Sequence, residues 1–403
     1  MHLYWIWFAQ LKGLSLFNKQ QLLRTFSDPE ELYHADARVL KNLGDAAEAL
    51  QEKDLTEARE ILNRCKARGI SILTFGDTAF PERLRNIEDP PMVLYFKGHL
   101  PDWQAQPVIG VVGTRKASSY GLQTAHLLAS QIAACGGLVV SGIATGIDAL
   151  SMEGALDAGK PVIGILAGGV DVVYPASNRG LYRRTEENGC IISEYPPGSR
   201  PYPGNFLHRN RIISGVSDGV LVVEAPVRSG ALNTARHAFS QGRDMFAVPG
   251  NLGVDTCLGS NALLQEGAYA ALCGWDVVKH YENLYTGAVA NRPVILRKGM
   301  EKSLPKVAES PMVPEKQDNK KEIPSKNSID NLEKSTYSVL NERPTSLNDQ
   351  EKVVLALLGD KPELPDSILD RADLPSGTVQ SILTRLAIKG LVQQYNDGRI
   401  SRK

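Results

Sequence analysis

Between Ile70 and Tyr281 the sequence repeats one pattern, a short apolar run followed by a longer helix-forming stretch. The runs are Ser71–Phe75, Val93–Lys97, Val108–Val112, Leu138–Ser141, Val162–Leu166, Cys190–Ser193, Val220–Val223 and Met245–Val248. Most are continuous rather than alternating. A strand wet on one face alternates apolar with polar, whereas a strand covered on both faces does not need to. Helical stretches such as Gly121–Cys135, Ile147–Ala158 and Ala231–Gln241 lie between the runs and supply the covers. The pattern predicts an extended Rossmann-like α/β domain over 70–285, a doubly wound and mostly parallel sheet.

The flanks read differently. Residues 1–69 predict a small helical module, of the SAM or helix-hairpin kind, with hairpins joined near Gly13 and Gly44. Leu11, Leu14, Leu22, Leu23 and Phe26 supply its apolar face, and Ser27-Asp28-Pro29 signals a helix start. The apolar opening Leu3–Ala9 is short and lacks the basic lead and cleavage site of a signal peptide. Residues 286–345, rich in Lys, Glu, Ser, Asn and Pro, predict a disordered linker. Residues 346–403 predict a winged helix: three helical segments, then Leu391–Tyr395 and Arg399–Ser401 around an Asn396-Asp397-Gly398 turn. Its balanced charges leave both DNA contact and protein docking open.

Composition excludes several classes. Lys+Arg and Asp+Glu each number 45, so no histone-like character exists, although a neutral protein can carry one basic groove. The five cysteines are odd in number and form no Cys-x-x-Cys, which speaks against a disulfide framework or a zinc site and for a reducing cytosol. No apolar run reaches membrane-spanning length. The expectation is a cytoplasmic chain with no cofactor, no metal and no membrane partner.

Three strand-to-helix turns carry the chemistry. They are Gly110–Lys116 with Gly113, Thr114, Arg115 and Lys116, then Ser141–Asp148, then Ala167–Asp171 with Gly168 and Gly169. In a parallel sheet all three fall at the carboxyl edge, where ligands bind. Glycine lets backbone N–H groups approach an anion, and the next helix N-terminus adds a positive dipole. Basic residues gather in the same places: Arg115 and Lys116, Asn178-Arg179, Arg209-Asn210-Arg211, and Arg228 before Ser229-Gly230. Several guanidinium groups at one edge suit a polymer of phosphates. Tyr174, Tyr182 and Phe206 are candidates for base stacking or for ordinary packing. A dinucleotide site is disfavoured, because Gly110 and Gly113 give only G-x-x-G and the second strand ends without an acid. Gly154–Lys160 mimics a P-loop, but Pro161 replaces the Ser/Thr and the order is helix to strand. Glu224, Asp148 and Asp171 are placed to activate water, or to cap helices and hold arginines. No catalytic or metal constellation emerges among the histidines.

From Phe80 to about Ala268 the ordered motifs resemble the bacterial DNA-processing protein A family (DprA, also called Smf). They are Phe80-Pro81-Glu82-Arg83-Leu84 with Asp89-Pro90-Pro91, Gly113-Thr114-Arg115, Ser141-Gly142-x-Ala144-x-Gly146-Ile147-Asp148, Gly169-x-Asp171-x-x-Tyr174-Pro175 and Ser193-Glu194-Tyr195. Arg209-Asn210-Arg211-Ile212-Ile213-Ser214-Gly215, Val223-Glu224-Ala225, Ser229-Gly230, Gly242-Arg243, Val248-Pro249-Gly250, Gly259-Ser260-Asn261 and Glu266-Gly267-Ala268 follow. The resemblance implies a non-enzymatic, homodimeric binder of single-stranded DNA that protects incoming strands in natural transformation and helps load the RecA recombinase. It carries over to Arg115, to Arg209, Asn210 and Arg211, and to Arg179 after the Tyr-Pro motif. Read with the turns, Arg115, Arg179, Arg209 and Arg211 are expected to neutralise phosphates, Asn210 to orient the strand, and Gly113, Gly168, Gly169, Ser229 and Gly230 to supply backbone donors. Thr145 and Met152 stand where the family usually has a basic residue and a His. Two other readings remain: a nucleoside-phosphate hydrolase of the lysine-decarboxylase-like class, and a dimeric adaptor without DNA.

Overall fold

The computed structural model describes residues 2–290 apart from 15, 37–38 and 41–45. Of the C-terminal segment it describes 349–359, 367–368, 371–372, 379, 382–383, 386, 391–394 and 399–402. The expected linker from 291 onward and the 396–398 turn lie outside the described residues. The chain forms two compact units, Met1–Val307 and Ala308–Lys403.

The first unit is built on a sheet of nine described strands in the order β1-β2-β6-β5-β4-β3-β7-β8-β9. The strands are β1 Ser71–Thr74, β2 Val93–Gly98, β3 Val108–Val112, β4 Leu138–Ser141, β5 Val162–Ile165, β6 Cys190–Ser193, β7 Gly219–Val222, β8 Asp244–Ala247 and β9 Tyr269–Ala270. β3 to β9 pair in parallel, whereas β1 with β2 and β2 with β6 are antiparallel. The eight expected strands form at the expected places within a residue or so. β9 was missed, because its two residues are exposed on an edge and carry no apolar run.

Continuous apolar runs are used as anticipated. Ile109 and Val111 of β3 join one core, while Val108 and Val112 join the other. β4, β6 and β7 divide in the same way, with Val139, Ile191 and Leu221 on the first side and Val140, Ile192 and Val222 on the second.

The helical covers are numbered in chain order. The N-terminal module holds α1 His2–Gln10, α2 Leu16–Thr25, α3 Pro29–His34, α4 Ala46–Ala49 and α5 Thr56–Ala67. The sheet region adds α6 Glu82–Arg85, α7 Ser119–Ala134, α8 Ile147–Asp157, α9 Arg179–Glu187, α10 Pro203–Val216, α11 Gly230–Ser240, α12 Leu258–Gln265 and α13 Gly274–Val278. Asp28 caps α3 by accepting from the Glu30 and Glu31 amides, as its sequence predicts.

Trp5, Ile6, Trp7 and Phe8 of α1 are buried, and with Ala58, Ile61 and Cys65 of α5 they belong to the same apolar core as Val93, Tyr95 and Ile109. The apolar opening of the chain is thus a core helix. Residues 286–290 still hold to the sheet unit, since the Ala290 amide donates to the Cys135 carbonyl at 3.1 Å and Val289 is buried.

In the second unit, α14 Asp349–Leu357 shares a core with Ile368, Val379, Ile382, Leu386, Val392 and Ile400. β10 Val392–Gln394 pairs antiparallel with β11 Ile400–Arg402, the wing anticipated around the Asn-Asp-Gly turn.

Candidate nucleic-acid interface

Chain order fixes where the strand ends part. β3 leads through α7 to β4 on one side, and β7 leads through α11 to β8 on the other. The crevice at the carboxyl ends of β3 and β7 is the topological switch point, the usual dinucleotide seat. Here it is filled from within. Glu224, 1% exposed, accepts from the Ser118 amide at 2.9 Å at the N-terminus of α7 and from the Thr256 hydroxyl. A Cβ at Gly121 would collide with this carboxylate. The chain's own anion occupies the helix terminus where a nucleotide phosphate would sit.

The other strand ends are stitched together by α10. Its residues 205, 206, 209 and 210 fall on one helical face. Asn205 donates to the Ala167 carbonyl after β5 at 3.1 Å. The Phe206 ring lies under the Arg115 guanidinium at 4.8 Å and beside the Tyr174 ring at 5.6 Å. Arg209 donates to the Gly142 carbonyl at 3.0 Å and to the Ile165 carbonyl. Asn210 donates to the Gly230 carbonyl at the head of α11 at 3.2 Å. One helix therefore gathers the ends of β3, β4, β5 and β7 into a single rim.

Not every expected residue faces outward on that rim. Arg115, Lys116, Arg179, Arg228 and Gly230 are exposed. Among the described residues none of the first four has a carboxylate within 4 Å. Asn178, half-buried, ties Arg179 in place by donating to the Ile143 carbonyl at 3.0 Å. Thr114 is buried, and its hydroxyl accepts from the Lys116 amide at 3.2 Å. Tyr182 is buried with its hydroxyl on the Tyr174 carbonyl at 2.8 Å, so it supports the rim and stacks nothing.

Arg209 and Arg211 correct the expectation of phosphate contact. Both are buried. Arg211 is held by Glu194 at 2.7 Å and Asp89 at 2.9 Å. Arg209 is spent on backbone carbonyls and faces Asp148, whose carboxyl is pushed up by burial against the attraction of that guanidinium. Asn210 is likewise engaged with Gly230 and Asn233. The arginine-rich motif is engaged within the fold and builds the rim. In sequence a structural arginine and a free one look alike.

The glycines need a similar correction. A Cβ at Gly113 would strike Ile147, and one at Gly142 would lie 2.5 Å from Arg209 Nη2. Gly168 and Gly169 are buried under the segment after β6: a Cβ at Gly168 would be 2.9 Å from the Ser199 oxygen, and the Gly169 amide donates to that same oxygen at 2.9 Å. These glycines allow close packing, and the Gly169 amide is already engaged. Gly230 alone of the expected set has open space where a Cβ would go. Ser229 caps α11 there by accepting from the Ala231 amide.

The three acids singled out earlier also have structural partners. Besides Glu224, Asp148 accepts from the Gly142 amide at 3.2 Å, and Asp171 accepts from the Gly198 amide at 2.8 Å and pairs with Arg68. Arg200 and Tyr202, exposed beside the rim, went unnoticed in the sequence reading. The alternation of proline with these two residues was the available signal.

Fold and rim together define a Rossmann-like protein whose ligand edge presents guanidinium groups and aromatic rings in place of a dinucleotide cradle. The family model for DNA recombination-mediator protein A matches residues 71–282, and that for the DprA winged helix domain matches residues 340–398. Protein Smf of Synechocystis is 30% identical over 418 residues, covering 99% of this chain and 98% of that protein. DNA processing protein DprA of Bacillus subtilis is 38% identical over 217 residues, 54% of this chain and 73% of that one. The crystal structure of DprA from Streptococcus pneumoniae superposes with a TM-score of 0.61 at 30% identity, over 69% of this chain and 98% of that chain. The chain belongs to the DNA recombination-mediator protein A family, DprA/Smf.

Proposed function

We propose that this chain is a DNA-processing protein that grips single-stranded DNA along the carboxyl rim and carries out no catalysis there. The observation that carries the reading is the Arg115–Phe206–Tyr174 group, a guanidinium over one ring that touches another, flanked by Lys116, Arg179 and Arg228, whose charges have no carboxylate within 4 Å among the described residues. Guanidinium groups take phosphates, and aromatic faces accept any unstacked base, so the combination favours a single strand. The backbone of Gly230 at the open head of α11 adds an anion-compatible terminus. The relatives named for DNA processing support the same reading. The Glu224 carboxylate at the switch point speaks against the nucleoside-phosphate hydrolase.

Homodimerisation through the α/β domain, loading of the RecA recombinase and a cytoplasmic location extend the proposal on the strength of the family likeness. No described helix is long and apolar enough to cross a membrane. The test is binding of single- and double-stranded oligonucleotides to the full chain at two salt concentrations. Preference for the single strand with steep salt dependence is expected. Equal or absent binding would refute the assignment.

A further inference from the structure

The rim as described leaves unused the segment that leads into α10, Pro197-Gly-Ser-Arg200-Pro-Tyr202-Pro. We propose that Arg200 and Tyr202 form a further nucleotide subsite, taking the base and phosphate next to the nucleotide stacked on Phe206. The proposal rests on the reading of the rim as a single-strand site.

Tyr202 is 69% exposed, yet it is held firmly. It is the N-cap of α10, with extended backbone at φ −117° and ψ 146°, and its carbonyl accepts from the Asn205 amide at 2.9 Å. Pro201 and Pro203 flank it, and proline fixes its own φ while confining the residue before it to extended conformations. The ring runs alongside Gly204, where a Cβ would lie 3.6 Å from Cε1, so the first helical turn backs the ring without covering it. Among the described residues no aromatic ring and no hydrogen-bond partner engages the side chain of this tyrosine. A backbone already fixed before the ligand arrives gives up little entropy on binding.

The segment beneath is pinned to the rim. Ser199 accepts from Gly169, Asn205 donates to Ala167, and Arg64 of the N-terminal module donates to the Pro197 carbonyl at 3.1 Å. Arg200 sits between these anchors, exposed and, among the described residues, with no carboxylate within 4 Å. The neighbouring acids are already neutralised, Asp171 by Arg68 and Glu194 by Arg211.

Spacing then selects the ligand. Tyr202 at the N-cap precedes Phe206 of α10 by four positions, an advance of about 5–6 Å along the helix axis at about 1.5 Å per helical residue. Successive bases in one strand of a duplex rise by about 3.4 Å. Only an unstacked strand can lay neighbouring bases on both rings.

The experiment uses the full chain and a series of thymidine oligonucleotides from two to twelve nucleotides, with 2-aminopurine placed at successive positions. Affinity should step up when the strand becomes long enough to reach the second ring. Tyr202→Ala should remove that step, about a tenfold loss on long strands, and leave the shortest bound strand unaffected. Tyr202→Phe should restore the step. Fluorescence quenching at one probe position should vanish in Tyr202→Ala and persist in the other variants. Arg200→Gln should flatten the salt dependence by about one phosphate contact. Length-independent wild-type affinity for Tyr202→Ala, with quenching unchanged, would overturn the subsite alone. Loss of all strand binding by the wild-type protein, or full binding by both Arg115→Ala and Phe206→Ala, would overturn the rim reading and this subsite with it.

Discussion

At the scale of single residues, the arginines fall into two kinds that respond differently to substitution. Arg115 is exposed, with its charge over a ring and, among the described residues, no carboxylate within 4 Å. Arg115→Ala should fold normally and weaken binding to single strands of every sequence about equally, with a flatter salt slope; oligonucleotide titrations at several salt concentrations check this. Arg211 is buried between two carboxylates. Arg211→Ala leaves Asp89 and Glu194 facing each other with the His208 ring beside them but without the guanidinium, a loss on the order of 3–5 kcal/mol that urea unfolding should show before any binding defect is resolved. Phe206→Ala should cost single-strand affinity about tenfold by removing a stacking face, with little change in the urea midpoint.

At the scale of elements, close approach between helices and strand ends is what the glycine-rich turns provide. Gly113→Ala drives a methyl group into Ile147 on α8 and should destabilise by about 1–3 kcal/mol, read as a lower denaturation midpoint. The same scale governs the acid response. Asp89 on the segment before β2 and Asp157 at the end of α8 are both opposed by burial, but hydrogen bonds and nearby cations hold their carboxyls below the ordinary range. For Asp89 the partners are His208 and Arg211, and for Asp157 they are His126 and Arg184. A carboxyl with a depressed folded pKa contributes stability above its unfolded value of about 3.9, and that contribution is lost as pH falls through the folded value. The unfolding midpoint should therefore hold from pH 7 to about 5 and fall steeply below 4. A midpoint that stays flat to pH 3 would show that these contacts contribute nothing.

Element type and position were legible because each depends on local pattern: Val108–Val112 is apolar throughout, so it is a strand covered twice. The roles of Gly168 and Gly169 were not legible, because the Ser199 backbone that needs their space is about thirty residues away in sequence. A two-residue edge strand such as Tyr269–Ala270 has no pattern to read.

At the scale of the whole molecule, the N-terminal helices are a cover of the sheet unit. Trp5, Ile6 and Phe8 share a core with the strands, and Arg64 and Arg68 hold the segments after β6 and β5. Removing residues 1–69 should bare this face, so the remaining chain should aggregate or unfold at lower urea than the intact protein, as sedimentation and denaturation would show. Binding tests belong on the full chain for that reason.

The sequence alone determined the α/β architecture, the wing, the family and the edge of the sheet where ligand groups gather. Each follows from periodicity, turn chemistry or an ordered set of motifs along the chain. Tertiary structure decided which arginines are free, which glycines are spent on packing, and that Glu224 fills the switch point. Those outcomes depend on what a side chain meets across the fold. Charge and hydrogen-bonding capacity are properties of a residue, but availability is a property of its surroundings.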